Sequence, residues 1–487
     1  MSTTAEGLER IPRSAILDDL QRLLDFPEWL GAAADTGRVR TALERHVPEL
    51  AAAVLTIQAC TVRRLRLKQG QSNWTGQYEL TIGGPGADQR RTLLLQARVI
   101  PPGFAEPASP SSDAAFGTEG WRCYLPELRL ELRTQPADPA LPALPILTDP
   151  AQARALLERS IRACSPAYRD IRIQACAIKA LRYKPGSRAT VVYRLEYPDE
   201  DAARIWPTIV VAKTYSGSKG QNAYDGMRAL WNSPLSRGDV VRIAEPLAYI
   251  PELKVLVQGP IPEEQTLEDL LKAALRSGAP EALHELEASM CKTAVALAAL
   301  HTSRVHYGAT IAWEDELAEV REVLSRLFIP FPHLAGVAEP LLRRLEALAT
   351  ASPADPAMPS HRAFRPAQVL LHQGQVGFID FDGFGQAEPA LDLSRFVRKA
   401  RALGMDALKE RGEGDAATRL AQMDAICETF LAEYEAYVPV SRQRVALWET
   451  LDLLTLVLYC WTKIEPERLH DNMLLLERHL YVTGQVE

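Results

Sequence analysis

The chain of 487 residues has no surplus of positive charge. Lys and Arg number 55 against 62 Asp and Glu, which gives a formal net charge of −7. Proteins that bind nucleic acids need basic patches to neutralise phosphate groups. We therefore expect no nucleic-acid partner.

Long apolar runs and a secretory leader are also missing. The most apolar late stretch, 451–461, is about half the length that a membrane span requires, and it contains Asp452. The first twenty residues carry acidic side chains and no apolar core, which argues against a signal peptide. We expect a cytoplasmic protein without a membrane partner.

The seven cysteines form no CxxC pair and follow no spacing typical of metal ligands. Reduced, buried thiols of a cytoplasmic protein are the expected state. Hydrophobic residues make up 47% and charged residues 24% of the chain, as in ordinary globular proteins. The length is sufficient for several domains or lobes.

The residue pattern changes along the chain from strands to helices. Helical periodicity dominates 1–56, alternation typical of strands follows at 57–103 and 171–216, and helical periodicity returns from about 220, interrupted by a strand-and-loop island at 359–393. Segment 101–150 is rich in Pro, Ala and Ser and predicts a long connection. Strands followed by helices in one unit indicate an α+β fold of two lobes.

The two strand-rich blocks resemble each other. Segments 57–70 and 173–186 are identical at eight of fourteen positions, and a strand led by tyrosine, Tyr78 or Tyr193, follows each. This favours an internal duplication over a chance likeness of two hairpins. In the alignment, Ala97 falls opposite Lys213 of the second block. The first block therefore predicts a structural or partner-binding lobe and no second nucleotide site.

The turn inside the second block contains Gly186, Ser187 and Arg188. A glycine allows close approach of the backbone to a ligand, and loop amides can bind phosphate oxygens. The alternative is an ordinary Pro-Gly hairpin turn.

Lys213 ends an apolar strand, where a lysine is costly unless it meets an anion or reaches water at the strand end. Asp225, on the next predicted helix at 224–231, is the candidate carboxylate partner of Lys213. Further along, a strand at 254–258 leads through Gly-Pro-Ile-Pro into a helix. Backbone groups near Gln258 and Pro260 are candidates for binding an adenine edge, although most joints of this kind have no such role.

Segment 359–383 predicts an apolar hairpin that ends in Asp380 and Asp382. Carboxylates leaving an apolar hairpin are poor structural choices but good magnesium ligands. The alternative is a hairpin with an acidic exit that caps the following helix.

This segment resembles the catalytic and metal-binding stretch of the aminoglycoside phosphotransferase (choline-kinase-like) family, with its signatures H-[GR]-D-x-x-x-x-[NQ]-[VL]-L, I-D-F and [DE]-P-A-x-D-L. The resemblance covers about 175–395. It implies a bilobal protein-kinase-like fold with a β-rich N-lobe and a helical C-lobe. We expect domains at 1–150 (an N-terminal helical segment, a degenerate N-lobe-like repeat and the connection), 151–260 (N-lobe) and 261–487 (C-lobe).

The resemblance also implies ATP and Mg2+ as cofactors and assigns roles to single residues. Lys213 would hold the α- and β-phosphates. Asp380 and Gln368 would bind magnesium with help from Asp382, and Asp392 would anchor the catalytic loop by accepting hydrogen bonds.

One position departs from the family pattern. Ala363 stands where the family has the aspartate that deprotonates the acceptor hydroxyl, and loss of a general base costs about 10²–10⁴-fold in rate. Nearby His361 and Arg365 are no evident substitutes, and Arg365 is suited to an anion.

Three functions are compatible with these features. The first is an ATP-dependent phosphotransferase acting on a small-molecule hydroxyl, impaired by Ala363. The second is a pseudokinase that binds nucleotide or a protein partner without phosphoryl transfer. The third is another nucleotide chemistry on the same fold, such as nucleotidyl transfer. The sequence does not identify the acceptor.

Overall fold

The computed structural model describes residues 15–67, 70–84, 90–107, 114–134, 138–201 and 203–486. These residues form two compact units. The motif unit comprises 139–313 and 349–449, and the N-terminal unit comprises 15–138, 314–348 and 450–486. The domain limits expected from the sequence stay a prediction.

The helices follow the chain in this order: α1 (Ala15–Gln21), α2 (Glu28–Ala34), α3 (Thr36–His46), α4 (Pro48–Ala51), α5 (Leu144–Thr148), α6 (Pro150–Cys164), α7 (Lys219–Trp231), α8 (Leu267–Ser277), α9 (Pro280–His301), α10 (Trp313–Phe328), α11 (Glu339–Ala351), α12 (Pro389–Arg411), α13 (Ala416–Glu435), α14 (Arg442–Lys463) and α15 (Leu469–Val482).

The strands of the N-terminal unit are β1 (Thr56–Leu67), β2 (Trp74–Gly83), β3 (Arg91–Val99), β4 (Arg122–Leu125) and β5 (Leu130–Thr134). Those of the motif unit are β6 (Ala175–Lys184), β7 (Arg188–Glu196), β8 (Ile209–Tyr215), β9 (Arg242–Ile243), β10 (Pro246–Ile250), β11 (Val255–Gln258), β12 (Gln265–Thr266), β13 (Thr310–Ile311), β14 (Met358–Ser360), β15 (Val369–His372), β16 (Gln375–Phe378) and β17 (Gly385–Ala387). This mixture of helices and antiparallel sheets confirms the predicted α+β class.

Each unit contains an antiparallel sheet with the same strand order. The N-terminal sheet runs β1-β2-β3-β5-β4, and the motif sheet runs β6-β7-β8-β11-β10 in reverse listing. In both, the fourth strand in sequence lies at the edge and the fifth lies next to the third. Identical topology supports the internal duplication and extends it from the hairpins to the whole sheet.

Details of the edge hairpins repeat as well. A register shift between Val62 and Arg64 in β1 recurs between Ile178 and Ala180 in β6, at the aligned positions. A β-bulge of this kind bends an edge strand and locally increases its twist. Its recurrence at the same place in both hairpins is a second mark of duplication.

The tyrosines that lead the second strands also share a contact. The Tyr78 hydroxyl donates to the carbonyl oxygen of Ala33, and the Tyr193 hydroxyl donates to that of Leu147. Both rings are fully buried. A buried hydroxyl requires such a partner, and each copy finds it in the helical segment that precedes the sheet.

The repeat reaches into the segment expected to be a long connection. Strands β4 and β5 lie there, joined by a turn at Pro126–Leu128 that ends on left-handed Arg129, φ 50°. The turn between β10 and β11, Pro251–Leu253 followed by Lys254 at φ 51°, has the same shape. The prediction of a connection was therefore wrong over 122–134; residues 108–113 and 135–137 of that segment lie outside the described residues.

The register corrects the alignment of the third strands by one residue. Tyr78 pairs with Leu95 in the N-terminal sheet, and Tyr193 pairs with Val210 in the motif sheet. Counting three residues onward places Arg98, and not Ala97, at the position of Lys213. Side-chain alternation decides this, because a slip of one residue moves a side chain to the opposite face.

The C-lobe of the motif unit combines helices with two small sheets. β15 and β16 form the predicted hairpin and join β12 and β9, while β17 lies between β13 and β14. Helix α12 packs on α8 and α13, and α9 packs on α13. The hairpin and β17 hold the acidic segment 379–384 between them.

Helix α14 is the one helix in the described part of the chain that is long and apolar enough to cross a membrane. Its most apolar window has a mean hydropathy of 1.3, and 72% of that window is buried inside the structure. Core helices share this composition. The sequence had placed the apolar stretch at 451–461 only, because the buried Trp448 and neighbouring polar residues interrupt it.

Candidate functional site

The turn between β6 and β7 forms the predicted loop. Gly186 has φ +64°, a conformation that favours glycine, and a side chain there would meet open space. The Ser187 amide donates to Lys184 O at 3.1 Å, and Ser187 O accepts from the Ser216 amide at 2.8 Å. These bonds fix the loop beside the end of β8 and direct Arg188 towards the C-lobe.

Lys213 lies in the interior of the motif sheet and meets an acidic residue of the C-lobe. β8 pairs with β7 and β11 on its two sides, and the Lys213 side chain is only 11% exposed. Its Nζ lies 3.3 Å from Asp380 Oδ1. The structure therefore brings together the two residues on which the sequence interpretation depended.

Asp380 and Asp382 follow β16 in a strained segment. Asp380 has φ 75° and ψ 48°, a left-handed conformation that is uncommon outside glycine. Strain of this kind concentrates at functional sites. Both side chains are about 15% exposed, and Arg188 Nη1 lies 3.4 Å from an oxygen of each.

Two residues that the sequence analysis missed hold Asp382. The Tyr215 hydroxyl donates to Asp382 Oδ1 at 2.8 Å. Asn222 Nδ2, on α7, donates to the carbonyl oxygens of Asp382 and Phe384 at 3.2 and 3.1 Å. Tyr215 was open to inference, because it lies two residues after Lys213 on the same face of a strand; Asn222 carried no such signal.

Electrostatics separate the two carboxyl groups. Burial raises the pKa of Asp380, but the neighbouring Lys213 and Arg188 outweigh burial and hold its pKa below the usual value. Burial and the negative charge of Asp380 raise the pKa of Asp382. Burial and the nearby Asp382 raise the pKa of Tyr215, so this hydroxyl stays protonated and donates.

Gln368 completes a set of oxygen donors. It is 3% exposed, and its Nε2 donates to Asp380 Oδ2 at 3.5 Å. Its Oε1 is buried and has no hydrogen-bond partner. Magnesium prefers oxygen ligands and is usually held by one or two carboxylates together with substrate phosphates. The two carboxylates and the free amide oxygen fit such an ion.

The catalytic-loop position is anchored from below by a buried network. Asp392 Oδ2 accepts from the His361 amide at 2.7 Å, as expected for a loop anchor. His301 Nε2 lies 3.3 Å from the same oxygen, and His301 Nδ1 lies 2.6 Å from the Tyr434 hydroxyl. His361 Nε2 donates to Ile379 O at 2.9 Å. These are the contacts of a residue that positions the loop.

Ala363 and Arg365 are exposed on this loop. The described hydrogen bonds and ion pairs of Asp380 and Asp382 come from Arg188, Lys213, Tyr215, Asn222 and Gln368, and Arg365 is not among them. A methyl group at 363 offers no proton acceptor.

Asp225 does not pair with Lys213. Its carboxylate accepts from Gln221 Nε2 at 2.6 Å, one helical turn away. The lysine is bonded to Asp380 instead, and Asn222 provides the link between α7 and the acidic segment. The expected pairing was wrong because a short aspartate side chain is satisfied locally on its own helix.

The hinge offers fewer donors than expected. The Gly259 amide already donates to Glu245 O at 2.8 Å, and Pro260 has no N–H group. Gln258 is buried at the end of β11, with 5% exposure. An adenine contact here would depend on other backbone groups of the segment.

Comparison with known proteins confirms the resemblance. Residues 235–440 match the family model of the phosphotransferase enzyme family APH. The matched region contains the catalytic loop and the acidic pair, and it begins after Lys213. No curated protein matches the chain.

Solved structures with a related fold include three kinases. An aminoglycoside phosphotransferase from Streptomyces rimosus has 19% identity and a TM-score of 0.36, over 57% of this chain and 92% of that chain. The choline kinase of Streptococcus pneumoniae has 14% identity and a TM-score of 0.42, over 66% and 98%. A glucosamine kinase in complex with glucosamine, ADP and inorganic phosphate has 16% identity and a TM-score of 0.44, over 92% and 99%. At these identities the structures give no information on the substrate of this chain.

Proposed function

We propose that the protein is an ATP-dependent phosphotransferase that acts on a hydroxyl group of a small molecule in the cytoplasm, without nucleic-acid or membrane partners. The observation that carries the proposal is the meeting of Lys213 and Asp380 at 3.3 Å. A lysine and an aspartate 167 positions apart, both largely buried, converge at one point. Phosphoryl transfer depends on such a cation and a metal-holding carboxylate.

In this function the residues of the chain bind and orient the substrates. Lys213 binds the α- and β-phosphates, and the amides around Gly186 and Ser187 cover the phosphates from the loop. Asp380, Asp382 and the free Gln368 Oε1 would hold Mg2+. The bound ion would neutralise charge that develops on the transferred phosphoryl group.

Ala363 weakens the chemical step. The acceptor hydroxyl would lack the carboxylate that orients it and takes its proton, a loss of about 10²–10⁴-fold. Positioning and electrostatic stabilisation still operate without that base. A slow kinase is consistent with the intact cation and carboxylate pair.

The alternative is a pseudokinase that binds nucleotide, or a protein partner, without phosphoryl transfer. Ala363 favours this alternative directly. The N-terminal unit, with a second sheet of the same topology, offers a surface for partner contacts.

Nucleotide binding and hydrolysis by the purified chain test the proposal. ATP with Mg2+ at about 100 times Kd should stabilise the protein by about 2.7 kcal/mol in thermal unfolding. Phosphoryl transfer to water or to a panel of small hydroxyl compounds should be measurable, and Asp380→Asn should abolish it. Asp239→Asn, an exposed aspartate paired only with Arg242, serves as the control.

The outcomes divide the two functions. Binding with activity that Asp380→Asn removes establishes the phosphotransferase. Binding without activity leaves the pseudokinase. No thermal stabilisation at millimolar ATP would contradict a nucleotide site altogether.

A further inference from the structure

A single nitrogen of Arg188 lies among three carboxylate oxygens. Arg188 Nη1 is 3.4 and 3.5 Å from the two oxygens of Asp380, and 3.4 Å from Asp382 Oδ2. A guanidinium that forms a strong pair uses two nitrogens on one carboxylate, at about 2.7–2.9 Å. The longer, shared contacts place one positive group at the position from which both carboxylates can be reached.

A divalent cation would require the same oxygens. Magnesium binds oxygen ligands at about 2.0–2.1 Å. A guanidinium nitrogen beside both carboxylates repels a second cation and blocks their approach to it. Arg188 must therefore leave Asp380 and Asp382 before these residues can hold a metal ion.

Arg188 is placed to leave. It is the first residue of β7, directly after the loop turn at Gly186, and its side chain is 31% exposed. Phosphate oxygens are preferred partners of a guanidinium. A phosphate group under the loop would give Arg188 a replacement for the two carboxylates.

We propose that Arg188 is a specificity-determining residue that makes the acidic pair select a metal–nucleotide complex over the free divalent cation. This inference rests on the proposed nucleotide site. Without nucleotide, Arg188 occupies the cation position. With nucleotide, Arg188 moves to the phosphates and the carboxylates become available to the metal.

Lys213 provides a matched comparison. It carries the same charge and lies 3.3 Å from Asp380, but of the two carboxylates it contacts only this one. If Arg188 acted through its charge alone, removing either cation would have a similar effect. If Arg188 blocks the position between the carboxylates, its removal has the larger effect.

The experiment measures binding of Mn2+ alone to the full chain, by electron paramagnetic resonance, for the parent, Arg188→Gln and Lys213→Gln. We expect Arg188→Gln to bind free Mn2+ about tenfold or more tightly than the parent, and Lys213→Gln to change the affinity by less than about threefold. Adding Asp380→Asn to Arg188→Gln should return the affinity to the parent level. Thermal unfolding of each variant checks that the fold is intact.

Equal gains in the two glutamine variants would overturn the proposal, as would a parent that binds free Mn2+ as tightly as Arg188→Gln. ATP binding by the parent is measured alongside. If the parent binds ATP and the Mn2+ results show no difference, the inference on Arg188 alone fails. If the parent does not bind ATP, the proposed function fails and the inference fails with it.

Discussion

At the level of single residues, the exposed methyl group of Ala363 is the main departure from a complete kinase site. The loop that carries it is held by Asp392 and by the buried His361. A side chain added at 363 would meet solvent, because the position is exposed. The position therefore accepts a carboxylate without repacking.

Ala363→Asp should restore the missing base. We expect phosphoryl transfer to rise by about 10²–10⁴-fold, the usual contribution of a general base, with little change in the affinity for ATP. The measurement is the steady-state rate with ATP, Mg2+ and the best acceptor from the panel.

Ala363→Asn is the matched control, since it has the same shape as aspartate and takes up no proton. The asparagine variant should retain the parent rate. An equal rise in both variants, or no rise in either, would show that position 363 does not limit the reaction.

Sequence reasoning found the charged centre of the site but not its supports. Lys213 and Asp380 were predictable because a charge in an apolar strand is costly without a partner. Tyr215 and Asn222 were missed, since a tyrosine or asparagine satisfies its hydrogen bonds in many surroundings. The pairing of Asp225 was wrong because sequence spacing does not tell which carboxylate a lysine will meet.

At the level of secondary-structure elements, α7 is linked to the acidic segment by a side-chain amide. Asn222 Nδ2 donates to the carbonyl oxygens of Asp382 and Phe384. In the family pattern a carboxylate of this helix would meet the lysine of the third strand. Here Asp225 bonds to Gln221 instead.

Asn222→Ala should weaken binding of the Mg2+–ATP complex by severalfold. Each lost hydrogen bond costs about 0.5–1.5 kcal/mol, and the acidic segment that carries Asp382 would lose its tie to α7. Asp225→Asn should leave the affinity within about twofold, because a group that is satisfied on its own helix does not act on Lys213. Isothermal titration calorimetry measures both.

Gln221→Ala controls for a general effect on α7, since Gln221 is exposed and contacts only its own helix among the printed bonds. A large loss of affinity in Asp225→Asn, with none in Asn222→Ala, would restore the family arrangement and contradict the one described here.

Helices with strong periodicity were predicted well, and short elements were not. The limits of α9 agree with the sequence, whereas the expected helix at 406–437 is divided between α12 and α13. Gly412, at φ +79°, ends α12 in a left-handed conformation. β4 and β5 were missed because four or five residues carry little periodicity, and proline-rich flanks favour a loop.

At the level of the whole molecule, the duplication explains why the chain holds two similar sheets but one set of catalytic motifs. The family match at 235–440 covers the acidic pair and the catalytic loop. The N-terminal sheet repeats the topology of the motif sheet, and its register places Arg98 where the motif sheet has Lys213. Sequence comparison found the hairpins but missed this cation by one residue.

Arg98 is engaged differently from Lys213. Its Nε lies 2.8 Å from Glu131 Oε2, on the neighbouring strand β5. The Arg98 side chain is 43% exposed and that of Glu131 is 21% exposed. The partner stands at the position that Leu256 has in the motif sheet, so the repeated cation forms an ordinary cross-strand pair.

One ATP should therefore bind per chain. Lys213→Ala should abolish binding, because it removes the cation that meets Asp380, and Arg98→Ala should leave both stoichiometry and affinity unchanged, because a half-exposed ion pair contributes little even to stability. Calorimetric titration of ATP with Mg2+ into the parent and both variants measures this. Two equivalents per chain, or binding that survives Lys213→Ala and is lost in Arg98→Ala, would place a nucleotide on the N-terminal sheet and make the duplication functional as well as structural.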